Sequence, residues 1–278
     1  MKRRMIMIAL LGICGLVAWA QPANYRPLMD QAKNYFDQKE YTKAIECYEK
    51  VVEEIKGTDY ESLTPTIRTS IAINNLYLGI AALEEKDYAS AKPYLENAIM
   101  DAKPESKTYY MAHSWMGRWN SLQALSIRTN RSDYKQAVQF SLEAERHFDL
   151  AKAPEKRLNE QLSRASALQN LLQNDEAETL LKQVINECKD FSNRNIILGK
   201  ATFMLGGIEM ETERFQLAIQ HLEQGYELCI VSSTVEAKSY AYLCAYKLSS
   251  LFSNQIPDDE KAVLWKQRAD GLESQITQ

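Results

Sequence analysis

The sequence predicts an all-α fold: about six antiparallel helix pairs stacked one after another. Three observations predict it. Ala, Leu, Glu, Lys and Gln abound while glycine and proline number only 10 and 7 in 278 residues, a composition that favours long helices over strands. A short pattern of a polar residue, in four cases an aromatic, and an alanine recurs six times along the chain. The few helix breakers stand where helices would start and stop.

The chain opens with a segment unlike the rest. Lys2, Arg3 and Arg4 form a cationic start, Met5 to Val17 is apolar, and Ala18-Trp19-Ala20 places small residues around a cleavage point. These are the parts of a secretory signal peptide. The expected division is therefore a signal peptide at 1–20 and a single repeat array at 21–278, with export to the periplasm or the cell exterior after cleavage near Ala20. The apolar stretch is shorter than the roughly 20 residues a spanning helix needs, so an uncleaved membrane tether is the alternative. A lipid anchor on Cys14 would want a small residue before it, and Ile13 stands there.

After Ala20 no apolar run is long enough to cross a bilayer, so the mature chain is expected not to span a membrane. Loss of Lys2, Arg3 and Arg4 removes three positive charges and moves the formal net charge from −4 to −7. Such a chain repels phosphate backbones, and with no basic stripe to offset the repulsion nucleic acid is a poor partner.

The repeat begins at Glu40-Tyr41 with Ala44. It returns at Asp87-Tyr88 with Ala91, Asp133-Tyr134 with Ala137, Gln173-Asn174 with Ala177, Arg214-Phe215 with Ala218, and Asp258-Asp259 with Ala262. The alanines are 47, 46, 40, 41 and 44 residues apart, a regularity that marks one helical hairpin per unit. Four units carry a fuller pattern, with a small residue twelve before the alanine and larger or apolar residues four and seven after it. These sets are Ala32, Ala44, Tyr48, Val51; Gly79, Ala91, Leu95, Ala98; Ala165, Ala177, Leu181, Val184; and Gly206, Ala218, Leu222, Gly225. A small side chain on the first helix lets the second approach closely, and the steps of four and seven keep the second helix's apolar stripe inward.

In these residues the sequence resembles the tetratricopeptide repeat family, over nearly all of Tyr25 to Gln278. The resemblance implies a right-handed α-solenoid that binds protein or peptide and catalyses nothing. The period exceeds the family's usual value of about 34, which implies lengthened helices. Two units depart from the pattern: the third has a long first helix from about Ser106 to Thr129, and the sixth an insertion around Gln255-Ile256-Pro257. Thr64-Pro65 and Ala153-Pro154 mark helix starts, Gly57 marks a helix end, and about twelve helices are expected.

Chemistry-bearing patterns are scarce. His113, His147 and His221 show no ligand spacing, and no GxSxG, Walker-type or GxGxxG sequence occurs. Neither an enzyme nor a cofactor or metal is expected. Cys47, Cys188, Cys229 and Cys244 read as buried core residues, with a Cys229–Cys244 bridge as the alternative. Glu84-Glu85 and Asp258-Asp259-Glu260 read as solvated helix ends.

By the family resemblance, the first helices of successive repeats face a bound partner, an unidentified protein or peptide. Positions near the small residue would then include Met29, Lys33, Phe36, Leu76, Ile80, Leu83, Ser166, Gln169, Phe203, Met210, Tyr242 and Tyr246. Trp115 and Trp119, on one face of the long third-unit helix, extend the candidate site, because aromatic rings contribute heavily at interfaces. The alternative is that these side chains pack on one another. A module that senses a peptide or ligand is the second functional reading; oligomeric state is not specified by the sequence.

Overall fold

A computed structural model of the chain describes residues 25–128, 130–188 and 194–276. The leader at 1–20 and Thr129 lie outside the described residues. Among the described residues there are twelve α-helices and no strand. They pair in chain order. The pairs are α1 (Arg26–Asp37) with α2 (Tyr41–Ile55), α3 (Thr64–Glu84) with α4 (Tyr88–Asp101), and α5 (Lys107–Ser126) with α6 (Arg131–Leu150). After them come α7 (Pro154–Asn170) with α8 (Asn174–Glu187), α9 (Arg194–Glu211) with α10 (Phe215–Ile230), and α11 (Val235–Asn254) with α12 (Asp259–Ile276). The helix boundaries fall at the expected signals: α3 begins at Thr64-Pro65, Pro154 opens α7, and Gly57 follows α2 with a φ of 71°.

The chain forms two compact units, divided within α3 between Ile71 and Ala72. In the first, Ala32 and Ala44 sit at the meeting of α1 and α2, in a core with Cys47, Val51, Ile55, Ile67 and Ile71. The second holds the cores of the other pairs, among them Leu158, Ala165, Leu181, Val184 and Leu205 around α7, α8 and α9. All six repeat alanines are buried.

The twelve-residue spacing has a visible cause. In each of the four pairs that carry the full pattern, three residues join the helices, and the middle one is left-handed: Lys39 at φ 61°, Lys86 at 62°, Leu172 at 61° and Glu213 at 60°. Two amides turn back on the first helix each time. The Lys39 N–H donates to the Phe36 carbonyl at 2.9 Å and the Glu40 N–H to the Tyr35 carbonyl at 2.8 Å; Leu172 and Gln173 repeat this on Gln169 and Leu168. This Schellman turn satisfies carbonyls the helix end leaves open and fixes where the second helix starts.

The small residue is thereby placed against the residue four after the alanine. A Cβ added at Gly79 would lie 2.8 Å from the Leu95 side chain, and one at Gly206 2.8 Å from that of Leu222, so the helices touch where glycine permits it. In the two departing pairs the joining segments, 127–130 and 255–258, have four residues. The small residue accordingly moves to thirteen before the alanine. Ala124 packs with Ala137, and the Ser249 hydroxyl donates to the Ala262 carbonyl at 3.0 Å.

The four cysteines of the described residues are buried and unpaired, as core residues rather than a bridge. Gly199 and Gly225 make room for them. A Cβ at Gly199 would overlap the Cys229 sulfur, and one at Gly225 would lie 3.0 Å from the Cys244 sulfur and 2.9 Å from Thr202 Oγ1. Gly271, on exposed α12, has nothing within 4 Å of an added Cβ. The same substitution should therefore act with opposite signs at two helical glycines. Gly271→Ala should stabilise the protein by up to about 1 kcal/mol through helix propensity. Gly199→Ala should destabilise it by about 1–3 kcal/mol through overpacking. Chemical denaturation of the two variants checks both; a stabilised Gly199→Ala would mean that α9 and α10 are not in close contact.

Candidate functional site

Four first helices, α5, α7, α9 and α11, line one groove with a cavity of about 540 Å³. Each turns its apolar face to the core and leaves a narrower stripe open. On α7, Leu158, Ala165 and Leu168 are buried, while Asn159, Ser163, Ser166 and Gln169, spaced at one helical face, form a row of amides and hydroxyls along the groove. From α9, Ile197, Ala201 and Leu205 point into the core, whereas Lys200, Phe203 and Met204 line the groove. Leu125 enters from α5, Arg128 from the segment that follows it, and Glu236 and Tyr240 from α11.

Rings and cations alternate along the α9 and α11 wall. Phe203 meets Tyr240 edge to face with centroids 5.6 Å apart. The Lys200 ammonium lies 5.6 Å above the Tyr240 ring and 2.5 Å from Glu236 Oε1, and the Lys247 ammonium lies 5.7 Å above Phe203. Burial, and then the Glu236 charge, push the Tyr240 phenol above its usual range, so its hydroxyl stays protonated and available as a donor. At the other wall the Arg128 guanidinium donates to the Ala124 carbonyl at 3.1 Å and to Ser163 Oγ at 2.8 Å. Burial lowers its pKa, yet a guanidinium remains charged at any ordinary pH. This wall is held rather than mobile in register, because a side chain with two anchors has few rotamers left.

Behind the groove, polar side chains are packed between α5, α6 and α7. Arg164 donates to both oxygens of Glu145, at 2.6 and 3.1 Å, and the Ser121 hydroxyl donates to Glu160 at 2.5 Å. Burial raises the Glu145 pKa, with Arg164 pulling it back down. A buried pair of this kind costs desolvation, and its geometric specificity registers the helices that carry the groove.

A second and larger cleft, of about 700 Å³, lies between α4, α5 and α6. Trp119 and Phe140 meet edge to face on its floor at 5.9 Å, and His147 stands at one end. The His147 Nδ1 is 2.8 Å from the His113 Nδ1, so one ring donates to the other. Burial drives both histidines down to about 4, with the Arg146 charge adding to it and the His147 charge adding at His113. Residues 34 apart on two helices meet here; local spacing along the sequence carries no sign of it. Among the described residues no cluster of three or more His, Cys, Asp or Glu could hold a metal ion.

Of the residues expected to contact a partner, Phe203 lies in the first-helix groove, accompanied by Ser166 and Gln169. On α11 the ring that reaches the groove is Tyr240, two residues before Tyr242 and so about 200° around the helix. Tyr242 and Tyr246 stack on each other at 6.2 Å and line a different recess, between α11 and α12. Trp119 and Leu76 are core residues, 8% and 3% exposed, which leaves them little surface for a partner. The Trp119 indole donates to the Tyr88 carbonyl at 2.9 Å, the partner a buried indole requires. Ile80 packs half-buried on the same core, and Trp115 lies under the Arg118 guanidinium at 5.0 Å. Lys33 is exposed on α1 of the first unit, where Phe36 meets Tyr41 edge on at 5.8 Å. Lys200, Tyr240 and Arg128 were not singled out from the sequence. A search for cations and rings sharing one face of α9 and α11 would have found the first two.

Helices paired by Schellman turns and small-residue contacts define a helical-hairpin repeat protein. Residues 25–56, which hold α1, its turn and α2, match the family model described as Tetratricopeptide repeat. No curated protein matches it.

The histidine pair makes a pH dependence. Folded rings titrate near 4 and unfolded ones near 6.5, so as pH falls through that window the unfolded chain takes up protons that the folded chain refuses. Stability is therefore expected to be full above pH 6.5 and to decline from there toward pH 4. Thermal melts at stepped pH check this, and the double variant His113→Gln/His147→Gln should flatten the limb between pH 6.5 and about 5.

Proposed function

We propose that the protein is an exported, non-catalytic scaffold that holds an extended segment of another polypeptide in the groove of α5, α7, α9 and α11. One observation carries this reading: four first helices converge on a groove that offers both things an extended peptide needs. The Asn159, Ser163, Ser166 and Gln169 row presents hydrogen-bonding groups to a backbone, and Leu125, Phe203 and Tyr240 present apolar surface to its side chains. Tetratricopeptide repeats generally act by binding protein, which supports the same reading. The groove's cations support binding over chemistry, since Lys200 is tied to Glu236 and Arg128 to Ser163, an arrangement that positions side chains instead of moving protons.

Export rests on the cationic start, apolar centre and Ala18-Trp19-Ala20 of the leader. No helix of the described residues is long and apolar enough to cross a membrane. The expected product is a mature chain beginning at Gln21, and N-terminal sequencing of protein from the producing cells decides it; an intact Met1 would support the tethered alternative.

A photo-crosslinking amino acid at Leu125, in the groove, should trap a discrete polypeptide in the native compartment. At Leu172, still more exposed on the α7–α8 turn, it should trap none. Adducts of equal yield at both positions would remove the groove from the reading.

A further inference from the structure

The cleft between α4, α5 and α6 shares only α5 with the groove and has a different character. Lys92, Glu96 and Ile99 of α4 form one wall at steps of four and three residues. Gln136, Phe140, Glu143 and His147 of α6 form the other. Met116 and Trp119 of α5 are the floor. Two helix walls on a helix floor make the cradle into which a further helix packs, ridges into grooves. The α6 wall runs eleven residues, about 16 Å or three helical turns.

We propose that this cleft is a second docking surface, and that its occupant is a cationic amphipathic helix of about three turns. The apolar lip is unusually open for a folded chain: Met100, beside Ile99 on α4, is 74% exposed. It supplies an unbranched, polarizable side chain that adjusts to a partner's apolar stripe. Charge selects the sign of the partner. A carboxylate stands on each wall, Glu96 on α4 and Glu143 on α6, each held only by a loose contact of 3.7 Å within its own helix, to Lys92 and to Arg146. Such exposed pairs are worth little and exchange readily. Lys92, the one cation among the lining residues, lies over the Trp119 ring at 5.4 Å, so the two wall carboxylates outnumber the lining cations. His147 is neutral at pH 7, since its pKa is down at about 4. A helix with a Leu stripe flanked by lysines would therefore bury its stripe on Ile99, Met100 and Phe140 and set a lysine against each carboxylate.

The test uses the purified protein and fluorescein-labelled model helices of about 14 residues, one of Leu and Lys and one of Leu and Glu with the same apolar stripe. The Leu/Lys helix should bind at least roughly tenfold more tightly than the Leu/Glu helix, a gap of about 1.4 kcal/mol. Met100→Glu should weaken the Leu/Lys helix by roughly tenfold or more. That variant adds a negative charge, so nonspecific attraction to an acidic protein predicts tighter binding, and weakening is specific to the cleft. Because Met100 is exposed, the variant's melting temperature should match that of the parent. Equal binding of the two helices, or unchanged affinity in Met100→Glu, would overturn the proposal. So would concentration-dependent dimerisation, seen by light scattering and abolished by Met100→Glu, which would assign the cleft to a second copy of this chain. The Leu125 crosslinking experiment is independent of these outcomes, since no residue of α4 or α6 lines that groove.

Discussion

The close approach of two helices at a residue with little or no side chain is the constraint on which the rest of this molecule depends. Gly79 against Leu95 and Gly206 against Leu222 bring the backbones together as near as packing allows. A separation that small can be reached only if the second helix starts at a fixed point, and the three-residue turn supplies that point. Its cost is a left-handed residue that is not glycine, at Lys39, Lys86, Leu172 and Glu213. That strain of about 1 kcal/mol per turn is outweighed by two backbone hydrogen bonds and by the apolar contact that the turn positions. Turn, small residue and facing leucine are thus one device seen at three places in the sequence.

This is why the fold was legible from the chain alone. The device is local: its parts lie within about thirty residues, so their spacing along the sequence is their spacing in space. Ala32, Ala165 and the two glycines marked the first helices, and the alanines marked the second. Where the turn gains one residue, as before α6 and α12, the small residue moves from twelve to thirteen before the alanine, and the pattern was invisible although the packing survives. A helix position advances about 100° per residue, so a register wrong by one or two residues points a side chain at a different neighbour. Tyr242 and Tyr246 show the consequence on α11, where Tyr240 is the ring that reaches the groove.

The candidate site was less legible because it is made between pairs. His113 and His147 meet from residues 34 apart, and Arg128 reaches Ser163 over 35. Neither separation has a sequence signature, since inter-pair contacts depend on how each hairpin is rotated against the next. The polar layer of Glu145, Arg164, Ser121 and Glu160 lies where α5, α6 and α7 meet, next to the pair that lacks the three-residue turn. Gly117 there makes room for the Phe148 ring, as Gly199 does for the Cys229 sulfur. Directional hydrogen bonds add fixed geometry to those helices where the turn is one residue longer, and buried ion pairs serve geometry better than they serve stability.

A chain whose repeat motif is wholly consumed by packing has only its remaining faces with which to act. Each first helix spends one face on its partner and one on its neighbours, and what is left over is the stripe that lines the groove. Its composition is therefore free to differ from repeat to repeat: amides and hydroxyls on α7, a cation and rings on α9 and α11. The second helices leave their own stripe, and between α4 and α6 it is apolar and bordered by carboxylates. The two surfaces share no wall, α5 touching both from positions along its length, with Met116 and Trp119 at one and Leu125 at the other.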